Sequence, residues 1–143
     1  MMSSTPSRIE DLPTTVVIPS DLAAAHEAEK ALLAEVAGFG YGEAATFAIK
    51  LAVEEGVNNA IKHGNRFDAR KTVELAYDIS KDRAVITITD QGGGFDPSAV
   101  PDPTAEENIE KPTGRGVMLM HAYMDKVVYN SKGNQVRMVK RNT

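Results

Sequence analysis

Three short stretches hold residues whose types and spacing can do chemistry. In the first, Glu55, Asn59 and His63 stand at i, i+4 and i+8 and share one face of a helix. Glu55 and Asn59 interrupt a run in which Ala52, Val53, Val57, Ala60 and Ile61 read as buried. An amide oxygen is a hard neutral ligand that suits Mg²⁺, which takes few protein ligands and keeps phosphates and waters. A carboxylate one turn earlier can accept the proton of an attacking hydroxyl. Taken alone, the pattern equally describes a solvated polar stripe ending in a helix-terminal histidine.

The second stretch is Asp90-Gln91-Gly92-Gly93-Gly94-Phe95-Asp96. It follows a strand whose inward residues are Ile86 and Ile88, and Asp90 continues that face, so its carboxylate should point inward. A buried carboxylate needs a donor. The exocyclic amine of adenine is one, whereas guanine places a carbonyl oxygen there and is repelled. The glycines allow the backbone to approach a ring closely. A tight turn with a capping aspartate is the plainer account of the same residues. The third stretch is Gly114-Arg115-Gly116-Val117, leading into Met118-Leu119-Met120. Glycines before a helix let its free N–H groups meet phosphate, and Arg115 adds a charge; a hinge and helix start is the alternative. It is neither a G-x-x-x-x-G-K-[ST] phosphate loop nor a G-x-G-x-x-G turn. In this order, the three make a metal and acid/base helix, an adenine acceptor and a phosphate-facing helix start.

The elements that must position these residues follow from pattern. Thr14–Ile18 reads as a strand, and Ser20 and Asp21 can cap a helix from Leu22 to about Val36, with Ala25, Ala28, Leu32 and Val36 inward. Gly38 and Gly40 end it. A second helix is expected from Gly42 to His63, with Phe47, Leu51, Val57 and Ile61 on its apolar face and Gly64 as its stop. Thr72–Ser80 and Ala84–Asp90 alternate as strands of a hairpin. Residues 91–115 hold four prolines and four glycines without a period, so a loop of this length reads as a lid, about 97–115. A short helix from Gly116 to about Met124 precedes a closing hairpin, Lys126–Asn130 and Gln135–Arg141. The order β-α-α-β-β-loop-α-β-β predicts an α+β two-layer sandwich, a mixed and mainly antiparallel sheet with helices on one face. Residues 1–12 read as a flexible N-terminal tail and 13–143 as one domain.

Composition bounds the function. A net charge of −4 argues against direct nucleic-acid binding, which needs a basic surface. With no cysteine and three scattered histidines, a thiolate or histidine-rich metal site is excluded or disfavoured. No apolar run approaches the roughly 20 residues of a membrane span, and the polar start lacks a signal-peptide centre, so the expected address is cytoplasmic.

The three stretches together resemble the GHKL ATPase superfamily, whose ATP-binding fold is called the Bergerat fold. Its N-box is matched by Glu55-Gly56-Val57-Asn58-Asn59-Ala60-Ile61-Lys62-His63, its first glycine box by Asp90-Gln91-Gly92-Gly93-Gly94-Phe95 and its second by Gly114-Arg115-Gly116. Glu54 through Asn65, and Lys111-Pro112-Thr113-Gly114-Arg115-Gly116 through Val127, look most like the stand-alone anti-sigma factor serine kinases. The resemblance implies the cofactors ATP and Mg²⁺, with Asn59 on the metal, Glu55 as the base that activates a partner's serine, and Asp90 on the adenine amine. Gly92, Gly94, Gly114 and Gly116 would shape the pocket and lid, with Phe95, Arg115, Val117 and His63 beside the nucleotide. It implies a sigma factor and a STAS-domain antagonist as partners, and a homodimer. The alternatives are an ATP-binding partner switch without kinase activity and a detached histidine-kinase catalytic domain. Where related kinases carry an arginine on the first helix, this chain reads His26-Glu27-Ala28-Glu29-Lys30.

Overall fold

A computed structural model of the chain describes residues 12–92 and 121–143. The tail to residue 11, the lid, and Gly93, Gly94, Phe95, Gly114, Arg115, Gly116 and Val117 lie outside the described residues. Five strands form one sheet: β1 (Thr14–Pro19), β2 (Thr72–Ile79), β3 (Arg83–Thr89), β4 (Lys126–Tyr129) and β5 (Gln135–Arg141), in the order β1-β2-β3-β5-β4. All four pairings are antiparallel, so among the described residues the sheet has no parallel component, against the mixed sheet expected. Two helices, α1 (Leu22–Gly38) and α2 (Glu43–Asn59), lie on one face, and His121–Tyr123 are helical ahead of β4.

Local chemistry explains the elements. Asp21 caps α1 by accepting the Ala23 N–H at 2.9 Å. The three-residue link of the β2–β3 hairpin, Ser80–Asp82, is closed by Ser80, whose N–H donates to the Arg83 carbonyl at 3.0 Å and whose hydroxyl accepts the Arg83 N–H at 3.2 Å. The β4–β5 turn is organised by Asn130, whose Oδ1 accepts the Gly133 and Asn134 N–H groups at 2.7 and 3.1 Å. This second turn matters for function, because it aims Asn134 at the end of β3.

The core lies between helices and sheet. Alternate residues Leu75, Tyr77, Ile86, Ile88, Val136 and Met138 point to it from the strands, and Leu32, Val36, Ile49, Val53, Val57 and Ile61 meet them from the helices. Burying each large aliphatic side chain contributes about 1.5–3 kcal/mol. The buried face of α2 is Ala45, Ala48, Ile49, Ala52, Val53, Gly56 and Val57; it keeps Val57 as expected, but Phe47 is exposed and stacks edge-on against Tyr123 at 6.1 Å. Small residues on the inner face let α2 approach the sheet closely, and the bulky ring is left outside. Leu12, assigned by sequence to the tail, is buried against Ala76 and Val85 on the opposite sheet face. No helix among the described residues is long and apolar enough to cross a membrane.

One charged residue sits in the buried stripe of α1. Glu29 is 7% exposed, and burial, with the Glu54 carboxylate as a smaller cause, raises its pKa from an ordinary 4.5 to about 7. A raised carboxyl pKa means the folded chain holds the proton more tightly than the unfolded one. Stability is therefore greatest below pH 4.5 as far as this group is concerned and declines as pH rises to about 7. A Glu29→Gln chain is expected to be more stable than the native chain at pH 8 by about 1 kcal/mol, discounted for solvent screening. The gain should vanish at pH 4.5. Urea unfolding of both chains at the two pH values checks this, and an equal difference at both would refute it.

Candidate functional site

Glu55 and Asn59 occupy the last turn and a half of α2, both half-buried, in a helix whose neighbouring Gly56 and Val57 face the core. Neither side chain has a hydrogen-bond partner among the described residues, so an amide oxygen and a carboxylate stand available on one helix side. The helix does not run on regularly to His63. Ala60–Gly64 form a π turn, in which the Asn65 N–H donates to the Ala60 carbonyl at 2.8 Å. Such an insertion is a frequent mark of functional sites. His63 lies in this turn and is exposed, whereas Glu55 and Asn59 are half-buried. Arg66 and Phe67 then turn the chain with φ of 51° and 57°. Left-handed backbone costs about 1–2 kcal/mol at each non-glycine position, so this exit is held by its surroundings.

Asp90 stands just past β3, half-buried and on the inward face shared by Ile86 and Ile88. Its backbone is fastened by Asn134: the Asp90 N–H donates to the Asn134 carbonyl at 2.9 Å, and Asn134 Nδ2 donates to the Asp90 carbonyl at 3.0 Å. Its carboxylate is fastened by the Gly92 N–H, which donates to Oδ1 at 2.8 Å. No donor among the described residues reaches Oδ2. Burial raises the Asp90 pKa, opposed by the Gly92 N–H and by the positive charges of Lys132 and Lys71. A half-buried carboxylate with one open oxygen is a strong acceptor for a ligand N–H group.

Two glycines make this arrangement sterically allowed. A Cβ at Gly64 would collide with the Asp90 carboxylate, and a Cβ at Gly92 would collide with the Gly64 carbonyl. The C-terminal end of the helical run and the turn after β3 thus touch backbone to backbone, with the carboxylate between them. Gly92, expected to shape the pocket, and Gly64, expected as the helix stop, both pack tightly at Asp90. A Gly92→Ala chain must open this contact, and it is expected to lose about 1–3 kcal/mol in stability, as overpacked sites do. Thermal unfolding measures it, and an unchanged midpoint would contradict the close approach. Along the helix, Glu55 stands about 13 Å from Gly64 at 1.5 Å per residue. Acceptor and base are therefore separated by a distance on the scale of an extended nucleotide.

The fastening residues Asn65, Gln91 and Asn134 were not singled out from sequence for this role. Asn65 is 1% exposed, and its Oδ1 accepts the Gln91 N–H at 2.8 Å. An asparagine directly after a helix stop gives the only local signal; its partners lie 26 and more residues away in the cases of Gln91 and Ser20. Among the described residues, no group of three or more His, Cys, Asp or Glu clusters to hold a metal ion. Asn59, a single neutral oxygen ligand, fits a magnesium that arrives with phosphates and keeps its waters.

Known proteins resemble the chain in sequence and in fold. The chain is 35% identical over 99 residues to the serine-protein kinase RsbW of Staphylococcus epidermidis, an alignment covering 64% of this chain and 62% of that one. It is 34% identical over 95 residues to the anti-sigma F factor of Clostridium perfringens, covering 64% of this chain and 67% of the relative. The chain thus spans about 62% of the length of the staphylococcal kinase it matches. In three dimensions, a crystal structure of RsbU and RsbW domains from Mycobacterium tuberculosis superposes with a TM-score of 0.58 at 16% identity, over 90% of this chain and 32% of that one, which establishes a common fold. The family model described as a histidine kinase-like ATPase domain matches residues 18–140, and with almost the whole folded body covered, the chain belongs to that family.

Proposed function

We propose that the chain is an ATP-dependent anti-sigma factor that binds a sigma factor and phosphorylates a serine on an antagonist of the STAS type. The observation that carries the reading is Asp90, a half-buried carboxylate with Oδ1 occupied by Gly92 and Oδ2 open, placed beside the helical run that bears Glu55 and Asn59. Two relatives, named a serine-protein kinase and an anti-sigma F factor, support the partner class.

In this mechanism Asp90 Oδ2 accepts a hydrogen from the adenine amine and fixes the base end of ATP. Asn59 offers its side-chain oxygen to Mg²⁺, which when bound neutralises phosphate charge and orients the terminal phosphoryl group. Glu55 takes the proton of the serine hydroxyl. The serine oxygen bonds to the γ-phosphorus as the bond to the bridging oxygen breaks, and ADP leaves with the electron pair. Phosphate adds roughly −1.5 to −2 charges to the antagonist, which breaks a desolvated contact and leaves the sigma factor bound to this chain. Transfer of radiolabel from the γ-position of ATP to a candidate antagonist tests the reading. Label on a serine that requires Glu55 is the expected result; ATP bound with no label transferred to any such partner would instead leave a nucleotide-dependent binding switch.

A further inference from the structure

We propose that Asn65 is a positioning residue that sets the adenine-reading carboxylate and so determines base selectivity, an inference that rests on Asp90 being the adenine acceptor. Asn65 ties together four segments. Its Nδ2 donates to the Ser20 hydroxyl at 3.2 Å and to the Thr72 carbonyl at 2.9 Å, and its Oδ1 accepts the Gln91 N–H at 2.8 Å. Two further bonds close the ring: Ser20 Oγ donates to the Lys71 carbonyl at 2.8 Å, and the Thr72 N–H donates to Gln91 Oε1 at 2.7 Å. The junction of β1 and α1, the end of the helical run, the start of β2 and the turn after β3 are joined through one buried amide.

Its placement depends on the π turn. The Asn65 N–H reaches back five residues to Ala60, and the Ile61 carbonyl is taken by Phe67 at 2.9 Å. The extra residue, followed by the left-handed Arg66 and Phe67, turns the Asn65 side chain inward, where it is 1% exposed. A short amide is the side chain that presents donor and acceptor together at this depth.

The consequence falls on Asp90. Asn134 holds the N–H and C=O of Asp90, and Asn65 holds the N–H of the next residue. The backbone that carries the carboxylate is thus clamped on both sides. Gly64, adjacent to Asn65 in the chain, forms the wall against which the carboxylate rests. Releasing the Asn65 clamp frees the peptide after Asp90 and lets Oδ2 move away from the line of the adenine amine. Hydrogen bonds weaken steeply with misalignment, so the part of ATP binding that depends on the amine is lost selectively.

The test compares ATP with purine riboside triphosphate, which lacks the exocyclic amine, by calorimetry on the full chain. In the native chain the ratio of the two affinities measures reading of the amine. Asn65→Ala should reduce that ratio at least about fivefold, with both nucleotides in the presence of Mg²⁺. Asn65→Asp, which keeps an oxygen for the Gln91 N–H but loses both donors, should keep the ratio while lowering stability. A merely structural Asn65 differs in the Asn65→Ala ratio: both variants less stable, with the ratio unchanged in each, and that result overturns the proposal. Should Asn65→Ala not fold, an α-hydroxy acid at position 91 deletes the N–H that Asn65 holds and also weakens the Asp90 carbonyl as acceptor of Asn134 Nδ2; an unchanged ratio there, with both clamps loosened, overturns it equally. Asp90→Ala is run in parallel. Collapse of its ratio to about one keeps the adenine reading whatever Asn65 does, whereas an unchanged ratio in Asp90→Ala removes that reading and the proposal with it.

Discussion

A Glu55→Ala chain is expected to bind ATP·Mg²⁺ as the native chain does and to transfer the phosphoryl group to a serine about 10²–10⁴ times more slowly. The size follows from what a positioned base supplies, and the retained binding follows from its place. Glu55 is one helical turn before Asn59 and nine residues before Gly64, so it stands apart from the carboxylate proposed to read the base. It makes no hydrogen bond among the described residues that its removal would orphan, and α2 keeps its core face of Ala52, Val53, Gly56 and Val57. Alanine is moreover a strong helix former. Phosphoryl transfer at saturating ATP and antagonist is the measurement. Equal rates in the two chains would remove Glu55 from the mechanism, while loss of ATP binding would make it a binding residue.

Asp90→Asn should act on the opposite end of the nucleotide. The carboxylate uses Oδ1 for the Gly92 N–H and keeps Oδ2 open. An amide in its place has one oxygen for two donors. If that oxygen stays with Gly92, an NH₂ group faces the adenine amine; if it turns to the ligand, the NH₂ faces the Gly92 N–H. A hydrogen bond to a charged acceptor is worth about 1.5–3 kcal/mol, so ATP affinity should fall about 10- to 100-fold. The same NH₂ suits the carbonyl oxygen of guanine, so the preference for ATP over GTP should narrow. Folding responds differently. Burial penalises the ionised Asp90, and the substitution removes that penalty, so the variant should be at least as stable as the native chain at neutral pH. Calorimetry with both nucleotides and urea unfolding of the apo chain check the two halves; unchanged ATP affinity would contradict the first.

The strands and the site sequence motifs were legible because they are local. Alternation in Thr72–Ile79 and Arg83–Thr89 marks strands, and its continuation to Asp90 predicts an inward carboxylate, as the structure has it. The second half of the α2 face, Ala52, Val53 and Val57, was legible; its first half was not. Alanine and glycine carry little hydrophobic contrast, and the eye of the pattern went to Phe47, which lies outside. The π turn leaves no periodic trace, because it differs from an α-helix by a single inserted residue. Glu29 in an apolar stripe is likewise unreadable without the neighbour that crowds it. Least visible were Asn65 and Asn134. Their bonds to Gln91 and Asp90 span 26 and 44 residues, and only the sheet order β2-β3-β5 brings them to one end of β3. Sequence therefore pointed to the carboxylate proposed to read a base, and the fold shows the residues that hold it still.

Direct titration of the native chain with ATP·Mg²⁺ and, separately, GTP·Mg²⁺ bears on the central claim with nothing else in the tube. In the proposed site the open Oδ2 of Asp90 would pair with the adenine amine and oppose the guanine carbonyl, so ATP should bind at least about 100-fold more tightly than GTP. Equal affinity for the two nucleotides, or no binding of either, would contradict the account.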